Sequence, residues 1–441
     1  MSVLIKQIAD YADRLNISRP PVLSGKVSRF DGQMVTCNGF PASIGTLCAV
    51  DLDDGSETLG EIIGFQDGEN LLSLHEYGAQ VKVGATVRAI EDGAMVPVGE
   101  GLLGRVVDAL GQPLDDQLLP EQTGRWPLAG MPLNPLRRKP VAEPLDVGVR
   151  VINSLLSIGC GQRLGIIAGS GVGKSVLLGM ITRFTEADVV VVGLIGERGR
   201  EVGHFVEKAL TGSSKARTII VAVPADRSPL LRIRGAERAT AIAEYFRAQG
   251  KKVLLIMDSL TRVAHARREI GLAMGEQPTS KGYPPSVVSM IPRLIERTGT
   301  DDRSDGSITA IYTVLADGDD TFDPVVDSAR AILDGHIVLS RLQAQMGIYP
   351  AVDVSASVSR VMNDITNKGH QDAARRFRRL VSVYMENRDL IYMGGYTPGQ
   401  DPELDEAVRI WDLLQSHIQQ PEHDRADFAE SRARLIAALT S

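Results

Sequence analysis

The chain is short of several things, and each shortage closes off a class of protein. Its three cysteines, Cys37, Cys48 and Cys160, share no metal-binding or redox spacing. A set so odd and sparse does not make a disulfide framework and fits a reducing compartment. No apolar run approaches the roughly 18 residues that span a bilayer. Val189 to Ile195 is among the longest. Lys and Arg number 48 against 55 Asp and Glu, a formal charge of −7. That balance argues against a broad nucleic-acid-binding face. The first residues carry Lys6 and Asp10 and no apolar stretch, so no secretory signal is expected. His75, His204, His265 and the other histidines show no metal spacing. The remainder is ordinary: 43% hydrophobic and 23% charged residues. The length suggests about three domains with normal cores.

The pattern divides the chain into four parts. Over residues 1–20, Leu4, Ile8, Tyr11 and Leu15 share one helical face, and Pro20 and Pro21 end the helix. This amphipathic helix either packs on its own domain or docks on a partner. Its polar face is too poor in Lys and Arg for strong binding to anionic lipid. Residues 21–95 read as a small β-barrel. Short β-type runs, such as those from Glu61 to Phe65 and Ala85 to Ile90, alternate with turns at Asp31-Gly32, Asn38-Gly39, Asp54-Gly55, Asp67-Gly68 and Asp92-Gly93. Residues 96–369 read as an α/β nucleotide-binding domain. Five prolines between Pro127 and Pro144 mark an extended entry to it. Arg163 to Ala168, Val189 to Ile195 and Val253 to Met257 then read as parallel strands buried on both faces. Residues 370–441 are mainly helical, with a loop at Gly394 to Pro402.

Ala168-Gly169-Ser170-Gly171-Val172-Gly173-Lys174-Ser175 matches a phosphate-binding P-loop, with Ala168 for the first glycine. It has the required context, an apolar strand before it and a helical run, Val176 to Met180, after it. The glycines let backbone N–H groups surround phosphate oxygens, and the helix N-terminus adds partial positive charge. Lys174 reaches the β- and γ-phosphates, and the Ser175 hydroxyl ligates Mg²⁺. Val253 to Asp258 is an apolar strand ending in an acid, as expected in a P-loop fold of the residue that holds the shell of that metal through water. Glu197, in Gly196-Glu197-Arg198-Gly199-Arg200-Glu201, directly follows a parallel strand, where side chains meet the ligand crevice. It is the candidate to orient and polarise water; the alternative is a surface charge cluster.

This order of motifs resembles the rotary ATPase family, and within it the flagellar protein export ATPases. Those are relatives of the type III secretion ATPases and of the ATP synthase β subunit. Asp258-Ser259-Leu260-Thr261-Arg262, Lys281-Gly282-Tyr283-Pro284-Pro285-Ser286, Gly306 to Ala310, Ile332 to Arg341, Tyr349 to Asp353 and Ser357-Val358-Ser359-Arg360 carry the resemblance further. It implies a RecA-like central domain and an enzyme that hydrolyses ATP with Mg²⁺. By resemblance Glu197 is the catalytic glutamate, where non-catalytic subunits have glutamine. Arg198 and Arg262 lie near the γ-phosphate and water, Tyr349 stacks on adenine, and Arg360 is an arginine finger acting on a neighbour's nucleotide.

The family further implies a ring of six, cytoplasmic and peripheral at the inner-membrane export apparatus. Its expected partners are a stator-like regulator at the N-terminal helix, a coiled-coil central-stalk protein, export chaperones and substrates, and the export gate. Val191 to Gly196 and Asp327 to Ile332 favour the flagellar over the virulence-injectisome branch. The acidic segment with which ATP synthase β subunits meet their rotor is not recognisable, which weighs against that alternative. A ring-shaped RNA helicase lacks support, with no RNA-binding module visible; a nucleotide-gated ring scaffold is opposed by Glu197 and Arg360. Arg375-Arg376-Phe377-Arg378-Arg379 reads either as a salt-bridged helix face or as a contact for an acidic partner.

Overall fold

A computed structural model describes residues 23–315 and 323–440. The helix expected over residues 1–16 lies outside the described residues. The chain divides into two compact units, Met1–Ala94 and Met95–Ser441.

The first unit is a closed antiparallel barrel. Its strands are β1 (Ser24–Phe30), β2 (Met34–Asn38), β3 (Thr46–Asp51), β4 (Glu57–Gln66), β5 (Glu69–Leu74) and β6 (Thr86–Asp92), in the order β1-β2-β5-β4-β3-β6. Pairing of β1 with β6 closes it and leaves no free edge. The turns fall where Asp-Gly pairs stand: Gly55 and Gly68 both adopt φ of 82°, which a side chain disfavours. Inward residues, among them Val35, Cys37, Cys48, Ile62, Leu72 and Val87, form one core. Burial pushes the Cys37 and Cys48 thiols up to about 11 and about 12, so both stay protonated and inert.

The second unit is a three-layer α/β structure. Its entry is partly regular: β7 (Met95–Val98) pairs with β9 (Gly124–Pro127), and β10 (Pro144–Leu145) with β11 (Ile158–Gly159). The prolines between them leave only a 3-10 turn at Pro135–Arg137. The main sheet contains β8 (Val106–Val107), β12 (Arg163–Ala168), β13 (Val189–Ile195), β14 (Thr218–Val223), β15 (Lys252–Asp258), β17 (Ser307–Leu315), β18 (Gly335–Leu339) and β19 (Val352–Ser359). Their order is β19-β18-β12-β17-β15-β13-β14-β8, parallel except for β19; the short β16 (Gly299–Thr300) adds an antiparallel pair to β17.

Alternating residues send their side chains to opposite faces, which explains why whole strands are apolar. Ile166, Val190, Val192, Leu254 and Ile256 join one core with the Arg150–Leu155 and Lys174–Phe184 helices. Ile167, Val191, Ile195, Leu255 and Met257 join the other with the Pro229–Ala248, Leu260–Ala273 and Pro285–Glu296 helices. The C-terminal helices cover the first face: Phe377, Leu380 and Tyr384 of the Lys368–Tyr392 helix lie in that core.

Two buried histidines tie these helices to the Arg150–Leu155 helix. His417 Nε2 lies 2.8 Å from Ser154 Oγ, and Ser154 donates to the Arg150 carbonyl at 2.7 Å. The hydroxyl proton is thus committed, and His417 donates through Nε2. His370 Nε2 donates to the Ser154 carbonyl at 2.6 Å. Burial first, then Arg150 and Arg434, push His417 down from 6.5 to about 3. Between those values the unfolded chain takes up a proton that the folded chain refuses, so stability falls as pH falls. From pH 7 to pH 5 this one site removes about 2 kcal/mol, and His417→Asn abolishes that part of the loss. Urea denaturation of both proteins at the two pH values checks it.

Candidate active site

Three parallel strands deliver their carboxyl ends to one place. β12 runs into the P-loop, β13 into Gly196-Glu197, and β15 ends on Asp258; β17 lies between β12 and β15. Ala168 is the last residue of β12 and is buried in the sheet, so the loop loses nothing by lacking a glycine there. Val172 anchors the loop in the core, while Gly169, Ser170 and Gly171 stay at the surface or half-buried. Gly173, with φ of 87°, starts the Lys174–Phe184 helix, and no side chain caps it. That N-terminus and its free N–H groups are left for an anion. The Ser175 side chain, in the first turn, is exposed.

Lys174 lies under the loop between two acids. Its Nζ donates to Asp258 Oδ1 at 2.5 Å and to Glu197 Oε1 at 3.2 Å. Burial alone would lower the Lys174 pKa, but the charges of Asp258 and Glu197 outweigh it and raise it. Burial, then the charge of Asp258, raises the Glu197 carboxyl above its ordinary range against the pull of Lys174. The Glu197 carboxylate is consequently a better proton acceptor than an exposed glutamate. Thr313, from β17, donates to Asp258 Oδ1 at 2.6 Å.

Gly196 has φ of 72°, and a Cβ there would lie 2.7 Å from Arg262 Cβ. The glycine lets the Arg262 stem pack against the loop that carries Glu197. Arg262 Nε is buried with no hydrogen-bond partner among the described residues. Arg198 is not drawn in: its side chain is 76% exposed and pairs with Glu201 at 2.8 Å.

Tyr349 packs its ring against Gly173, where a Cβ would approach it to 3.2 Å. It borders a cavity of about 390 Å³ lined mainly by Gly171, Val176, Met180, Pro350, Gln420 and Pro421. The last two come from the C-terminal region, and the Gln420 N–H donates to the Tyr349 carbonyl at 2.9 Å. An apolar slot beside a P-loop suits a flat base.

Arg360 stands at the other end of the sheet. Leu339 of β18 pairs with Ala168 beside the P-loop, whereas Gly335, at the start of β18, pairs with Ser359. The four residue steps from Gly335 to Leu339 span about 13 Å. The Arg360 side chain is exposed and makes no ion pair among the described residues. Its backbone N–H is fixed on the Asp334 carbonyl at 2.9 Å.

The chain also matches known proteins over almost its whole length. Residues 148–359 match the ATP synthase alpha/beta family nucleotide-binding domain, and residues 366–437 match the T3SS EscN ATPase C-terminal domain. The flagellum-specific ATP synthase of Pseudomonas aeruginosa is 46% identical over 98% of this chain and 97% of its own length. That of Salmonella typhimurium is 49% identical over 93% of this chain and 92% of its own. This chain belongs to the flagellum-specific ATP synthase family. It is an ATPase of the flagellar and type III secretion kind. The assembled ATPase EscN from the enteropathogenic E. coli type III secretion system superposes with a TM-score of 0.88 at 41% identity, over 94% of this chain and 100% of that one.

In this ATPase the basic run of the C-terminal helix is engaged within the chain. Arg376 pairs with Glu406, and Arg379 holds Glu403 through two bonds of 2.7 Å. Arg375 pairs with Asp372, and Arg378 donates to the Leu155 carbonyl. The salt-bridged helix face is the reading that the geometry supports.

Thr313 and Gln420 escape a reading of the sequence. One polar residue in an apolar strand, and one 71 positions after Tyr349, carry no local signal.

Proposed function

We propose that this ATPase hydrolyses Mg-ATP at the interfaces of a homo-hexameric ring and drives or prepares protein export through the flagellar type III apparatus. The observation that carries this reading is Lys174 held between Glu197 and Asp258 beneath an uncapped P-loop helix. Backbone N–H groups of residues 169–175 and the Lys174 ammonium bind the phosphates. Tyr349 packs on the adenine. The Ser175 hydroxyl and the Asp258 carboxylate, the latter through water, would hold the metal. These donors are all oxygen, and the Asp258 carboxylate is a hard anionic one, which fits a hard divalent cation. Mg²⁺ held there would supply charge neutralisation for the transferring phosphoryl group. Glu197 accepts a proton from the attacking water. Arg262, and Arg198 once the site closes, face the transferring phosphoryl group.

Arg360 lies at the opposite end of the sheet from its own P-loop and makes no ion pair among the described residues, which supports its use by the neighbouring subunit. A finger is worth about 10³–10⁵ in rate, roughly 4–7 kcal/mol of barrier. Expected partners are a stator-like regulator at the N-terminal helix, a coiled-coil central-stalk protein, export chaperones, substrates and the gate. EscN has been solved in complex with its central stalk EscO, which supports the stalk. No helix among the described residues is long and apolar enough to cross a membrane. A cytoplasmic place, peripheral at the export apparatus, is proposed from the likeness to the flagellar relatives. No nucleic-acid partner is proposed.

Specific ATPase activity against protein concentration tests the reading. It should rise cooperatively with Mg²⁺ and vanish with excess EDTA. A specific activity that is flat from nanomolar concentration upward would contradict an interfacial site.

A further inference from the structure

Asp258 is 3% exposed and accepts two hydrogen bonds, both on Oδ1. One comes from Lys174 and the other from Thr313. Among the described residues no donor reaches Oδ2. The two donors differ in what nucleotide does to them. Lys174 belongs to the P-loop, and it turns towards the phosphates when they arrive. Thr313 sits on β17, is fully buried, pairs with Ile166 of β12, and directly follows Tyr312, which pairs with Met257 of β15. Its branched side chain has little rotational freedom. A buried carboxylate that loses its only cation and has no other donor is strongly disfavoured.

We propose that Thr313 is a positioning residue for the Mg²⁺ shell. Its hydroxyl keeps Asp258 in place while Lys174 exchanges the carboxylate for phosphate, and leaves Oδ2 for a water of the metal. This inference rests on the assignment of Asp258 to the metal shell. Thr313 touches neither substrate nor metal.

The test measures binding rather than turnover. A fluorescent ATP analogue is titrated onto the full chain in EDTA and then under rising Mg²⁺, for the parent, Thr313→Val, Thr313→Ser and Asp258→Asn. A hydrogen bond to a charged group carries a fold-effect of about ten or more. Thr313→Val should therefore bind within about twofold of the parent in EDTA, yet need about tenfold more Mg²⁺ for its half-maximal response. Thr313→Ser, which keeps the hydroxyl, should restore the parent's Mg²⁺ midpoint. Thr313→Ala, smaller but also lacking the hydroxyl, replaces the valine variant if that one does not fold.

An unchanged Mg²⁺ midpoint in Thr313→Val, with a shifted one in Asp258→Asn, overturns this inference alone. Loss of binding in EDTA as large as the loss in Mg²⁺ also overturns it, since the hydroxyl would then be structural. If Asp258→Asn itself responds to Mg²⁺ like the parent, the metal assignment of Asp258 falls and this inference falls with it.

Discussion

Replacing Glu197 by glutamine should lower kcat by about two to four orders of magnitude while leaving ATP affinity near that of the parent. The amide keeps the size of the side chain and an oxygen for Lys174, which stands 3.2 Å away. It cannot take a proton from water. The corresponding barrier is roughly 3–5 kcal/mol. The parent should also show the base in its pH profile. Burial and the neighbouring Asp258 raise the Glu197 carboxyl above the ordinary 4.5. Only the ionised form accepts a proton, so kcat/KM should climb with pH through a limb lying above that value. Once Lys174 turns to the phosphates, Glu197 loses the group that holds its pKa down. The limb in kcat should therefore lie higher than the limb in kcat/KM. A variant as fast as the parent would remove Glu197 from the chemistry.

Arg360→Ala should cost about 10³–10⁵ in kcat in the assembled protein. It should change neither the stability nor the nucleotide affinity of the isolated subunit. An exposed arginine with no ion pair among the described residues contributes little to folding, typically within about 0.5 kcal/mol. It follows the end of β19 that pairs with the start of β18, four residue steps (about 13 Å) along β18 from Leu339 beside the P-loop, so no ground-state contact with its own loop is expected. Thermal denaturation and nucleotide titration of the monomer, beside the turnover of the ring, separate the three effects.

Most of the fold was legible because local rules and tertiary structure agree. Strands such as Val189 to Ile195 are apolar throughout because a parallel sheet buries both faces. Asp54-Gly55 and Asp67-Gly68 announce hairpins because their glycines adopt positive φ. The P-loop is recognisable because phosphate binding constrains contiguous backbone. The site's remaining features are assembled from distant segments. Thr313 reaches Asp258 from a strand that enters the sheet between the two motif-bearing strands, a position only topology supplies. The cavity beside Tyr349 is closed by Gln420 and Pro421 because the C-terminal helices fold back over the Lys174–Phe184 layer. Arg375 to Arg379 left two readings open because the deciding acids, Glu403 and Glu406, lie on the next helix. Arg198 adjoins Glu197 in sequence, yet the start of the Gly199–Ala209 helix turns it outward to Glu201.

The central claim is that each catalytic site is completed by a neighbouring subunit. Mixing two dead variants tests it most directly. Lys174→Ala destroys a subunit's own site but keeps its finger; Arg360→Ala keeps the site but removes the finger. Each alone should be nearly inactive. Mixed at equal concentration in a head-to-tail ring, about a quarter of the interfaces should pair an intact site with an intact finger, and about that fraction of the parental ATPase rate should return. A mixture no more active than the two variants measured separately would contradict the shared site and place the whole of catalysis within one chain.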